Sequence, residues 1–216
     1  MAIRTFTHLY DDYAEAEQTV QALEAAGVPH SDISIVGNNV DDRHASTGRT
    51  ATTGTTAGTV AHDAIAHDGE PNRAATGATT GTLVGTGVGL LTGLGLLAIP
   101  GVGPVVAAGW LVATVTGAGI GAAGGGLLGS LVHAGVPEEH AHAYAEGVRR
   151  GGTLVSVRGD DSQAVTIEEI LAGRQVRAVD LDTRRADFRT GGWDRFDETS
   201  PHYTAEQLDA ERRRRV

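Results

Sequence analysis

The 216-residue chain has no cysteine, no lysine, few aromatic residues, and not one charged residue across its central 59 positions, Ala74 to Val132. The absence of cysteine excludes disulfides, thiol catalysis and cysteine-ligated metal sites, and fits a reducing compartment. All 17 cations are arginine, set against 27 acidic residues for a net charge of -10. A phosphate backbone demands a basic face, and only Arg212 to Arg215 concentrate positive charge, so nucleic acid is not an expected partner and the arginine run reads as a solvated terminus. Aromatics make up 4% of the chain, and its 40% hydrophobic content is gathered in the middle third. The flanks are therefore left to build one small shared domain. The opening MAIRTFTHLYDDYAEAEQ turns polar and acidic within a dozen residues. It lacks the apolar region of a secretory signal, and both ends are expected in the cytoplasm.

The flanks carry legible elements. Residues 1–37 read as strand, helix, strand, the first half of the domain. Asp12 with Glu15 three residues later has capping-box spacing, and Tyr13, Ala16, Val20 and Leu23 recur at helical intervals until Gly27 and Pro29 end the run. Ile33 and Ile35 then alternate with polar neighbours as a short strand. Residues 38–76, rich in Thr, Gly, Asp and His, read as a flexible linker. Residues 133–182 form the second half. Pro137 opens a helix with Glu138 and Glu139 at its positive end and Arg149 and Arg150 at its negative end. A strand at 153–157, a helix at 162–172 and a last strand at 175–182 follow, and residues 183–216 read as a loosely ordered charged tail. The order strand-helix-strand, strand-helix-strand predicts an α+β ferredoxin-like sandwich with four strands and both helices on one face.

The middle segment, 77–132, would be an insertion between the second and third strands. It is rich in a residue that helices tolerate poorly, since each glycine costs about 1 kcal/mol against alanine. Yet Gly77, Gly81, Gly85, Gly89 and Gly93 stand at every fourth position, and Gly109, Gly117, Gly121, Gly125 and Gly129, with Ala113, repeat the device. On helices these rows form two notches through which backbones can pack closely, a glycine-zipper arrangement. Pro100, Gly101, Gly103 and Pro104 in IPGVGP make a turn, so the expectation is an antiparallel helical hairpin with arms at 77–98 and 105–132. The arms would be roughly 33 and 42 Å long, against a hydrocarbon core of about 30 Å.

The densest polar cluster is HAGVPEEHAH, with His133, Glu138, Glu139, His140 and His142. Glu139 and His142, three apart on one helix, have the spacing by which carboxylate-bridged metal sites take two ligands from one helix, with His140 beside them. Capping and surface roles explain the same residues more simply. His62 and His67 could add ligands only if the linker folds. No Ser-His-Asp order, P-loop or dinucleotide fingerprint is present, so no catalytic residue, small-molecule substrate or cofactor is expected.

Three stretches carry a resemblance: FTHLYDDYAEAEQTVQALEAAGVPHSDISIVG, LLAIPGVGPVVAAG and GVPEEHAHAYAEGVRRGGTLVSVRGDD. Together they resemble bacterial general stress proteins of the heat-induced type, over about residues 3–37 and 77–182. The resemblance implies a βαβ-type soluble domain carrying a glycine-rich hairpin, association with stress, and no established reaction or ligand. The expectation is a non-enzymatic homo-oligomer whose hairpin lies in or on the inner membrane, in contact with lipid, with both termini cytoplasmic. The alternative is a soluble cytoplasmic oligomer that senses a ligand or metal, its hairpin serving only to oligomerise it.

Overall fold

Asp12 begins the first helix as its spacing predicts: its side chain accepts a hydrogen bond from the Ala14 N–H at 2.7 Å, and Gly27, at φ 87°, ends the turn that follows. The structure, a computed structural model, describes residues 3–42, 95–117, 126–173 and 178–215. Along these run β1 (Ile3–Tyr10), α1 (Tyr13–Ala25), a 3-10 turn (His30–Asp32), β2 (Ile33–Asn38), β3 (Gly95–Ile99) and β4 (Gly103–Gly109). They continue with α2 (Trp110–Gly117), α3 (Gly126–His133), α4 (Glu138–Arg149), β5 (Thr153–Asp160), α5 (Ala164–Ala172), α6 (Leu181–Thr190) and α7 (Ala205–Arg215).

The five strands form one antiparallel sheet in the order β1-β5-β2-β4-β3. β5 lies between the two strands that α1 connects, pairing from Ile3–Asp160 to Tyr10–Thr153 on one side and from Ile33–Val157 to Gly37–Thr153 on the other. Side chains alternate between the two faces of each strand. Phe6, Tyr10, Ile33, Ile35, Val106, Val155 and Val157 face α1 and α5, where Val20, Leu23, Ile167 and Leu171 complete a core. Leu9, Val36, Val105 and Leu154 face the other way, onto Leu111, Leu127, Leu131, Tyr144 and Val148 from α2, α3 and α4. Each fully buried aliphatic side chain contributes about 1.5–3 kcal/mol, so both faces are needed. Two tyrosines of the core are paired: the Tyr10 hydroxyl donates to the Leu171 carbonyl at 2.7 Å and the Tyr144 hydroxyl to the Thr7 carbonyl at 2.6 Å.

The fold is therefore mixed α+β, with departures from the four-stranded sandwich. Helices cover both faces, because β2 and β5 are apolar on both. The expected last strand at 175–182 is not formed among the described residues. Asp180 instead caps α6, accepting from the Thr183 N–H at 2.7 Å. One hydrogen bond, from the Val179 N–H to the Leu9 carbonyl at 2.8 Å, ties this stretch to the edge of β1.

The central segment departs further. Residues 95–98, the end of the first expected helical arm, are β3, and IPGVGP turns between strands. The second expected arm is divided into β4, α2 and α3. Gly109 shows why no helix runs through it: its φ is 95°, and the Ile33 carbonyl of β2 packs where a side chain would stand. Gly117 ends α2 and Gly129 sits half-buried on α3, whereas Gly77, Gly81, Gly85, Gly89, Gly93, Gly121 and Gly125 lie outside the described residues. Among the described residues no helix is long and apolar enough to cross a membrane.

Residues 183–216, expected to be loosely held, include most of α6 and all of α7, and bury Phe188, Phe196 and Leu208.

Candidate functional site

The uncharged run reaches the sheet as the β3–β4 hairpin. The Val102 N–H donates to the Ile99 carbonyl at 3.1 Å, and Gly101 and Gly103 take φ of 73° and 99°, values costly for any residue with a Cβ. Pro100, Gly101, Gly103 and Pro104, expected to turn between two helices, lie instead where β3 passes into β4. β4 is buried between β2 and β3, but β3 ends the sheet among the described strands. Gly95, Leu96 and Ala98 are exposed, Leu96 to 65%. This edge has no charge and no proline within it, the devices that normally blunt an open edge.

The C-terminal segment clasps the hairpin from its closed end. A side chain at Gly101 would meet Phe196, Asp197 and Glu198, and one at Gly103 would meet His202. Arg149 Nη2 donates to the Pro201 carbonyl at 3.0 Å, and the guanidinium of Arg149 stacks 5.1 Å from the Tyr203 ring. Beneath them lies Glu146, fully buried, with Arg150 Nε at 2.6 Å and Arg149 Nη1 at 3.2 Å. Asn38 Nδ2 donates to the Val148 and Arg149 carbonyls at 3.1 and 3.3 Å, satisfying the end of α4. The sequence carries the signal for Glu146 in its spacing, three and four residues before two arginines, but that spacing gives no sign of burial.

A cleft of about 390 Å³ opens between α4, α6 and α7, lined by Arg150, Arg184, Phe188, Glu211 and Arg214. Its arginines face carboxylates already: Arg184 pairs with Asp11 at 2.6 Å, Arg214 with Glu211 at 3.3 Å, and Arg150 with Glu146. Such pairing makes the cleft a poor receptor for an anion, since a ligand would have to displace existing partners.

The metal candidates sit at the start of α4 in ordinary surface pairs. Glu139 pairs with Arg185 of α6 at 3.1 Å and lies 3.8 Å from His140; Glu138 lies 3.8 Å from His142. Glu139 therefore spends its charge on an arginine from another helix. His133 is exposed at the end of α3, and His62 and His67 lie outside the described residues. Among the described residues, no group of three or more histidine or carboxylate side chains is arranged to hold a metal ion. Glu198 approaches the same corner, its carboxyl raised above the usual range by burial and by Asp197, with His142 opposing.

Comparison with curated proteins and with solved structures finds no match. Residues 5–68, which contain almost all of β1 together with α1 and β2, match the family model of the heat induced stress protein YflT domain, so the chain carries a stress-protein domain consistent with a general stress protein family.

Proposed function

We propose that this protein is a non-enzymatic, stress-associated protein that acts by self-association, displaying its α+β domain from copies joined through the uncharged glycine-rich segment. The observation that carries this reading is where the charge-free run emerges. In a chain of net charge -10, the run enters the sheet as an exposed, uncharged strand at the margin of the described sheet. Copies repel one another over the acidic surface and approach most easily where charge is missing. The glycine row from Gly77 to Gly93 leads directly into that strand and offers contact with little side-chain bulk. The stress-protein match supports the non-enzymatic part, because that family points to such a role.

The absence of charge over Ala74 to Val132 favours a second reading, in which the 77–94 segment lies against the inner membrane. A helical hairpin turned at IPGVGP is not part of it, since those residues are β3, a tight turn and β4. The test is the native size of the full-length protein by analytical ultracentrifugation, alongside an alkaline carbonate wash of membranes from cells expressing it. A soluble, defined oligomer reduced in size by Gly85→Leu supports self-association; retention in the washed pellet supports the membrane reading. A monomer in the soluble fraction overturns both.

A further inference from the structure

We infer that β3 is a self-recognition strand: two copies pair antiparallel along Gly95–Ile99 about a two-fold axis, joining two five-stranded sheets into one. This rests on the self-association reading and names its surface.

Four observations converge on it. β3 pairs only with β4 among the described strands, so alternate residues turn their N–H and C=O groups away from the sheet. Its sequence, GLLAI, contains no lysine, proline or acidic residue to discourage pairing, and Leu96 and Ala98 are exposed on one face. The opposite margin differs: β1 carries the charge of Arg4 and receives the Val179 N–H at the Leu9 carbonyl. Of the two margins among the described strands, β3 is the one without charge. Pairing of that edge with its own copy about a two-fold axis closes as a dimer. Finally, the acidic surface opposes contact elsewhere, while a β3–β3 contact brings together two strands without charge.

Strand geometry fixes the arrangement. Residues opposite each other in an antiparallel pair share a face, so only registers that bring 96 and 98 opposite themselves or each other are allowed. Full overlap of the five residues places Leu97 on the axis, with Leu96 of one copy opposite Ala98 of the other. The backbone of β3 would be satisfied on both sides, and the exposed leucine covered.

The cysteine-free chain makes the test direct. Full-length Leu96→Cys and Ala98→Cys proteins, mixed and treated with a short thiol-reactive crosslinker, are expected to give a mixed dimer in preference to either homodimer. Full-length Ala98→Arg, with far-ultraviolet dichroism to establish that it folds, is expected to weaken the dimer about tenfold in sedimentation equilibrium. If the protein self-associates but Ala98→Arg leaves its size unchanged and no crosslink forms, the assignment of β3 is overturned while the proposed function stands. If the native chain sediments as a monomer, both fall. A crosslink within one chain, from 98 to a cysteine placed at 85, with no change in size, assigns the edge to the chain's own preceding segment and also overturns the inference.

Discussion

Glu146 of α4 and Arg150, which caps the end of that helix one turn on, meet at 2.6 Å through a carboxylate that is wholly buried and a guanidinium that lies between aromatic rings, 4.5 Å from the centroid of Phe188 and 5.8 Å from that of Tyr203. The same guanidinium lies 3.6 Å from Glu211 of α7. One arginine thus links a buried charge to all three pieces of the C-terminal segment: α6, the intervening loop and α7. Its position depends on Glu146, which in turn also holds Arg149.

Removing that carboxylate leaves Arg149 and Arg150 without the anion they share in a largely dry site, Arg150 keeping only the longer approach to Glu211. Glu146→Ala is expected to lower stability by about 3 kcal/mol, the usual loss when one partner of a buried ion pair is deleted. Glu146→Gln keeps the shape and some hydrogen bonding and should lose less. Urea unfolding followed by dichroism measures both, and equal stability of Glu146→Ala and the native chain would show that the pair is dispensable.

The docking of α7 depends on charge to an unusual degree. Among its described residues it buries Leu208 and Glu211, and it is linked by ion pairs from Arg212 to Asp41 at 2.6 Å and from Glu211 to Arg150 at 3.6 Å. Eleven residues do not hold a helix in water without such partners. The pair Glu211→Gln and Arg212→Gln is therefore expected to speed proteolytic cleavage between residues 191 and 204 about tenfold, with the melting of the sheet barely altered. In the native chain, cleavage should quicken as salt rises from about 0.1 to 1 M, because the partly exposed Arg212 leaves its pair with Asp41 open to screening, whereas the buried Arg150–Glu211 pair is screened little. Cleavage indifferent to salt would mean that the Arg212–Asp41 pair does not help to hold the segment.

The elements that reasoning from sequence placed correctly are those specified locally. Asp12, Gly27, Pro137 and Gly151 mark helix ends through contacts within a few residues, and the β1–α1–β2 unit lies where its periodicity put it. Residues 95–109 form strands where a helical hairpin is expected, because Gly, Ala, Val and Leu in an uncharged run satisfy a helical and a strand period equally well. Val105 and Val106, β-branched and beside a Pro-Gly turn, were the local hint of a strand, but pairing with β2 decides the matter. The tail was illegible for another reason. Phe188, Phe196 and Leu208 follow no period, and the arginines around them pair with Asp11 and Asp41, more than 170 residues away in sequence. Nothing local announces such contacts. The glutamate and histidines at the start of α4 were legible as a cluster, whereas the arginine that neutralises Glu139 comes from α6.

Three glycines separate backbone conformation from space. Gly27 has φ 87° with nothing near a would-be Cβ, so Gly27→Ala is expected to cost only the left-handed strain, about 1 kcal/mol. Gly147 has an ordinary backbone, but its Cβ would press on the Leu9 side chain, whose flexible end can yield; Gly147→Ala should cost about 1–2 kcal/mol after its gain in helix propensity. Gly109 combines both obstacles, with φ 95° and the unyielding Ile33 carbonyl, so Gly109→Ala should cost about 3 kcal/mol or more and loosen the β2–β4 pairing. Thermal melts of the three variants should rank Gly27→Ala highest and Gly109→Ala lowest, and a Gly109→Ala variant that melts no lower than the other two would contradict the geometry of the β4–α2 junction.

Alkaline pH should unfold the protein through its tyrosines. Burial raises the Tyr10 and Tyr144 hydroxyls from 10 to about 12, and raises Tyr13 as well, because an ionised phenolate inside the core loses its hydration. Tyr10 and Tyr144 also donate hydrogen bonds, to Leu171 and Thr7, which only the neutral forms can make. A group whose folded pKa lies above its unfolded value holds its proton more tightly when folded, so its contribution is complete below pH 10 and declines as pH rises toward 12. For Tyr10 and Tyr144 the loss is on the order of 2 kcal/mol each, spread over both faces of the sheet. Stability to urea should therefore be flat with respect to these groups up to about pH 10 and fall steeply above it, with tyrosinate absorbance appearing together with the loss of dichroism. Tyr10→Phe removes one titrating group along with its hydrogen bond to α5. That variant should begin less stable at pH 8 yet lose less between pH 10 and 12, and a parallel decline in the two proteins would show that Tyr10 does not control the transition.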